Sequence, residues 1–118
     1  MDISAIRKIS TEGGRPHVPP LTDYHACSTS WSEVEYRHFE AASPHVVVGF
    51  WSGAPGEITL DSWPYTEICS ILSGRVAIRD QKGDRIEFAA GATFLVPKGF
   101  AGDWITIEPA TKLFVAIS

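Results

Sequence analysis

Apolar and polar residues alternate along most of this chain in short stretches that end at glycine or proline. From Trp31 to Phe39 (WSEVEYRHF), Val34 and Tyr36 face one way while Glu33, Glu35 and Arg37 face the other, the two-residue period of a half-exposed strand. Ser43 and Pro44 interrupt the pattern. His45 to Trp51 (HVVVGFW) then reads as a buried strand rich in β-branched and aromatic residues. After Gly53, Pro55 and Gly56 come further short strands at Glu57–Leu60, Thr66–Leu72, Arg75–Arg79, Arg85–Phe88, Thr93–Val96, Asp103–Ile107 and Lys112–Ile117. A Ser73-Gly74 turn and the loop Asp80–Asp84, with Gly83 supplying a positive φ, separate some of them. No window longer than ten residues keeps helical spacing. The pattern predicts a nearly all-β sandwich or closed barrel, closure having the merit of leaving no sheet edges.

The first thirty residues break this rhythm. Residues 1–10 are weakly amphipathic, a short strand or a turn of helix, and Thr11–Ser30 carries Gly13, Gly14, Pro16, Pro19 and Pro20. Those prolines remove donors that a central strand needs. The segment is therefore expected to form an irregular arm, residues 1–29, lying along a barrel of residues 30–118 or against a partner subunit.

Composition narrows the class without naming a reaction. At 118 residues the chain makes one domain, and 44% apolar with 20% charged residues argues against disorder. A net charge of -4, with lysines and arginines scattered, offers no basic stripe for nucleic acid. Cys27 and Cys69 form neither a CxxC pair nor a disulfide framework and suit a reducing compartment. No window approaches membrane-spanning length and no signal-peptide core is present, so a cytoplasmic protein without membrane contact is expected.

Two glycine-bounded stretches carry a resemblance. Gly56–Gly74 (GEITLDSWPYTEICSILSG) and Gly91–Gly99 (GATFLVPKG) resemble the two signature motifs of the cupin superfamily, with six residues between Glu67 and Gly74 and with Gly91, Pro97 and Gly99 in register. Gly49-Phe50-Trp51, Pro55-Gly56, Leu72–Val76, Pro97–Phe100, Trp104 and Lys112 are similar to a small single-domain subfamily. Its members include the ureidoglycine aminohydrolases and the ethanolamine-utilisation cupin. The resemblance covers roughly residues 30–117 and implies a double-stranded β-helix, the jelly-roll barrel. It also implies a metal site of two histidines and a glutamate from the first motif and a histidine from the second. In one register Asp61 and Trp63 stand at the paired histidine positions, in another Leu60 and Ser62, and Gly102 stands at the last. Only Glu67 keeps a ligand side chain.

Transition metals ask for three or four protein ligands, so no cofactor is expected. A divalent metal held by Asp61 and Glu67, with Cys69 or a recruited His45, is the alternative. All four histidines, His17, His25, His38 and His45, precede the first motif. Glu67 is the candidate catalytic residue, because a carboxylate that loses hydration in an apolar barrel can become an acid or base near neutral pH. The bland reading makes it an anchor held by a tyrosine, a lysine or backbone. Trp51, Trp63, Tyr65, Phe94, Phe100 and Trp104, with Glu67 and Cys69, are the candidate ligand-binding residues, an aromatic wall carrying few polar groups. Lys98 reads as solvated, and Lys112 stands where the subfamily often has a basic residue. The expected activity is binding of a small organic metabolite bearing an amine or carboxylate. The alternative is a hydrolase or isomerase acting on a small amine or amide. The expected partner is a second copy of the chain, in a homodimer.

Overall fold

A computed structural model describes all 118 residues. Nine strands follow in order: β1 (Arg15–His17), β2 (Ala26–Cys27), β3 (Glu33–Ala42), β4 (His45–Gly53), β5 (Gly56–Leu60), β6 (Thr66–Asp80), β7 (Arg85–Ala89), β8 (Thr93–Val96) and β9 (Gly102–Ile117). Every pairing is antiparallel. Short 3₁₀ turns at Ile3–Ala5 and Leu21–Asp23 are the only helical pieces, so the all-β jelly-roll expectation holds.

The two long strands, β6 and β9, pair along their whole lengths and belong to both halves of one curled sheet. The C-terminal half of β9 bonds β4, which continues through β3 to β1, while the N-terminal half of β6 bonds β8. At the other end β9 bonds β5 and then β2, and β6 bonds β7. The register slips between Ile71 and Val76, where the sheet bends from one half to the other. The expected Ser73-Gly74 turn is therefore a bulge inside one strand, and the expected strands Asp103–Ile107 and Lys112–Ile117 are one strand. Bulges bend a strand without ending its ladder, and the positive φ of Gly74, +83°, supplies the kink. Gly91 and Gly99 are also in the left-handed region, as the glycine spacing of the motif requires.

Because paired residues share a face, the register fixes what points inward. One inner row runs Glu35, Trp51, Lys112, Ile71, a second Gly49, Phe114, Cys69, Phe94, and a third Val47, Ala116, Glu67, Val96. From the other half come Ile58, Trp104 and Ile78. These side chains form the core, with Cys69, Ile71 and Val76 fully enclosed.

The N-terminal segment is less irregular than its prolines suggest. His17 pairs with Glu35 through β1 and Cys27 with Ile58 through β2, so the segment lies on its own barrel. Tyr24 and Trp31 pack against the core cluster.

Candidate functional site

Between the two halves lies a cavity of about 40 Å³ lined by Tyr24, Trp31, Glu33, Glu35, Trp51, Ile58, Leu60, Trp63, Tyr65, Glu67, Trp104, Lys112 and Phe114. The space admits a few water molecules or a ligand of a few heavy atoms, against several hundred Å³ for an ordinary drug-sized pocket.

Glu67 sits at the floor with both oxygens engaged. Oε2 accepts from Lys112 Nζ at 2.7 Å and Oε1 from Trp63 Nε1 at 3.1 Å. The Lys112 ammonium lies 3.8 Å from the ring centroid of Trp104 and 4.9 Å from that of Trp51. Burial works against that ammonium, while the Glu67 carboxylate that it bonds and the charge of Glu35 favour it. Beneath the pair, burial pushes the Cys69 thiol up to about 12. Burial and the Glu67 charge raise the Tyr65 phenol as well.

At the mouth, Glu33 accepts three hydrogen bonds from neutral groups: Tyr24 Oη at 2.5 Å, Trp31 Nε1 at 2.8 Å and Trp51 Nε1 at 2.9 Å. No cation pairs with it. Glu35 pairs with Arg37 Nε at 2.9 Å, and burial raises its carboxyl despite that partner. Trp31 and Trp51 stand 6.3 Å apart, and Trp51 meets Trp104 edge to face at 5.4 Å.

Of the residues singled out in the sequence, Trp51, Trp63, Tyr65, Glu67 and Trp104 come together around this space. Cys69 lies behind Glu67 in the core. Phe94 and Phe100 line a separate, larger hollow of about 270 Å³ between β7 and β8, where Phe94 stacks on Phe88 at 3.9 Å. Its charged lining residues, Asp80, Asp84 and Arg85, all come from the β6–β7 hairpin, where Asp80 accepts from the backbone of Lys82 and Asp84. The smaller cavity is the candidate site because carboxylates, an ammonium and indole N–H groups meet there.

Asp61 does not join Glu67. It projects into solvent with 77% of its side chain exposed and pairs with His25 at 3.2 Å. His45 is exposed at the start of β4, with Nδ1 2.9 Å from Ser118 Oγ, so it does not enter the cavity as a substitute ligand. Lys98 is exposed. The metal that the cupin resemblance implies does not fit these residues. No group of three or more His, Cys, Asp or Glu side chains converges as a coordination set, and both oxygens of Glu67 are engaged, by Lys112 and by Trp63.

Sequence reasoning missed Tyr24, Trp31, Glu33 and Glu35. The alternation from Glu33 to Arg37 was legible, but its polar side faces inward at the mouth, where indole, phenol and guanidinium groups from four chain segments satisfy it. Only the register, which sets Glu35 opposite Trp51, reveals that.

The profile of the EutQ-like cupin domain matches residues 40–114. Among curated proteins no relative matches. Solved structures with the same fold include the EutQ protein of Clostridium difficile, at 19% identity and a TM-score of 0.69, covering 98% of this chain and 90% of that one. An ethanolamine utilization protein Q from Salmonella typhimurium, described as putative, follows at 21% identity and 0.63, covering 72% and 68%. A protein of unknown function from Pseudomonas syringae pv. tomato is 20% identical with a TM-score of 0.75, and the match covers 93% of this chain but 46% of that one.

Proposed function

The chain belongs to the EutQ-like cupin family, and from that premise we propose that it binds a small organic molecule carrying an ammonium group in the cavity between Glu33 and Glu67. One observation carries the reading: Glu33 holds a carboxylate among Trp31, Trp51 and Tyr24 with three neutral donors and no cation. Glu67 and Glu35 each have a positive partner, so the lining is left one negative charge in excess. Indole faces and a carboxylate are the means by which proteins hold alkylammonium groups. The volume limits the ligand to about the size of ethylamine or ethanolamine. Two solved relatives carry names that refer to ethanolamine utilisation or to EutQ, which is consistent with a small amine and goes no further.

Calorimetric titration with ethylammonium, ethanolamine and acetate tests this. The amines are expected to bind and acetate not to, and Glu33→Gln is expected to weaken the amines at least about tenfold, the worth of one charge-assisted contact. Binding of acetate with no response to either amine would overturn the reading.

An acid or base role for Glu67 fits less well, since both of its oxygens are already held. The resemblance to the ureidoglycine aminohydrolases is also compatible with an amine ligand, but that reaction belongs with imidazole ligands whose motif positions here hold other residues. A reducing, cytoplasmic setting is supported by two free cysteines. No helix is long and apolar enough to cross a membrane.

The partner we propose is a second copy of the chain. On the outer face, Phe39, Val48, Val115, Ile68 and Leu95 form one apolar row across five strands, register by register. Phe39, Ile68 and Leu95 are exposed.

A further inference from the structure

Lys112 is buried more deeply than its ammonium ought to tolerate. The side chain starts on β9 between Trp51 on one neighbour and Ile71 on the other, and its charge has a single oxygen partner, Glu67 Oε2 at 2.7 Å. Both side chains are 6% exposed. Withdrawing two charges from water is unfavourable unless the geometry repays it. Here the repayment comes from a short ion pair and from two indole faces, 3.8 Å and 4.9 Å from the ammonium. Ring faces attract a cation without supplying a lone pair, so this surrounding suits an ammonium and suits a divalent metal poorly. The acceptor count agrees, since Glu67 is the one carboxylate on the ammonium and the Cys69 thiol, held protonated by burial, is the other polar neighbour.

We infer that Lys112 is the resident cation of the Glu67 site: a tethered ammonium, seated on Glu67 between Trp104 and Trp51, fills the position for which other cupins recruit a metal ion. The site is then complete without any added ion. Shortening the lysine leaves an ammonium-shaped vacancy facing Glu67 and two rings, which a free primary alkylammonium of matching length can enter. This inference rests on the donor set around Lys112 and not on the ligand assigned to Glu33, so Glu33→Gln leaves it untouched.

Thermal unfolding of the full chain tests it. Wild type is expected to melt at the same temperature with a chelator or with equimolar Zn²⁺ or Mn²⁺. Lys112→Ala is expected to lose about 10 °C or more, as follows from an unpaired buried carboxylate. Millimolar n-butylammonium should restore a good part of that loss, and n-butanol, of the same shape without charge, should not. Should Lys112→Ala fail to fold, Lys112→Met and the double variant Lys112→Met/Glu67→Gln carry the test, with the double variant melting higher because no carboxylate is left unpaired. The inference is overturned if wild type takes up one divalent ion per chain and melts higher with it. It is equally overturned if Lys112→Met melts as high as wild type, if the double variant melts no higher than Lys112→Met, or if butanol rescues as well as butylammonium.

Discussion

Cys27 and Cys69 show how far one residue type can be set apart by its place in the sheet. Cys27 lies on the exposed strand β2, while Cys69 on β6 faces inward with no accessible surface. Burial raises the Cys69 thiol to about 12. Only a thiolate reacts with an alkylating agent, and at pH 8 about one Cys69 in ten thousand is ionised even before access is considered. Iodoacetamide at pH 8 is therefore expected to label Cys27 alone in the folded protein and both cysteines in urea, read by peptide mass. Labelling of Cys69 at a comparable rate under native conditions would mean that the floor of the cavity opens. At this scale the sequence is only partly informative. Trp51, Trp63, Tyr65, Glu67 and Trp104 could be picked because aromatics and a motif glutamate stand out in a β pattern. Glu33 and Glu35 could not, because a charged residue in an alternating strand is ordinarily on the solvent side. What reverses the assignment is the arrival of Trp31, Trp51, Tyr24 and Arg37 around them, and no local pattern encodes that meeting.

At the scale of the element, the bend shared by β6 and β9 positions the site, since it brings Glu67 and Lys112 from one half of the sheet over Trp104 from the other. Gly74 makes the bend possible. Its φ of +83° lies where an L side chain is strained, and a Cβ there would run into the carbonyl oxygen of Pro109 and the Cα of Ala110 on the facing strand. Left-handed strain of about 1–2 kcal/mol adds to an overpacking cost of about 1–3 kcal/mol. Gly74→Ala is thus expected to destabilise the fold by about 3 kcal/mol, measured as a lowered urea midpoint with unchanged slope. Gly83→Ala is the control. It shares the positive φ, +91°, but its Cβ meets nothing within 4 Å, so it should lose only the strain. Equal losses in the two variants would rule out the close approach at Pro109. Gly74 was legible as a special backbone position from its motif spacing. Whether it closed a turn or bulged a strand was not, because both need the same φ, and the difference lies in β9 running uninterrupted beside it from Gly102 to Ile117.

The whole molecule presents an outer face that one copy leaves uncovered. Five strands at about 4.8 Å spacing, with neighbouring rows about 7 Å apart along them, give the row from Phe39 to Leu95 and its flank at Ile117 a footprint of roughly 200 Å². A stable pair usually buries about 800 Å² on each partner, so the row alone is short of what a dimer needs. In the proposed dimer the N-terminal arm would supply the remainder. Ile3, Ile6 and Ile9 are 85%, 74% and 37% exposed, and Arg7 of the same arm reaches the Phe39 end of the row, bonding the His38 carbonyl at 3.3 Å and lying 6.0 Å over the Phe39 ring. Arm and row are thus continuous, and a two-fold axis through the row would bury both on both copies, as an isologous contact requires. Sedimentation at tens of micromolar is expected to give a dimer. Ile68→Asp, in the row beside its central Val115 and outside the core, should give a monomer with an unchanged far-ultraviolet spectrum, while removal of residues 1–10 should weaken association without abolishing it. A wild type that stays monomeric at every concentration would leave the row as bare surface. Because Ile68 faces away from Glu67, its strand neighbour, the monomeric Ile68→Asp variant should still bind whatever the cavity binds, which separates assembly from the site.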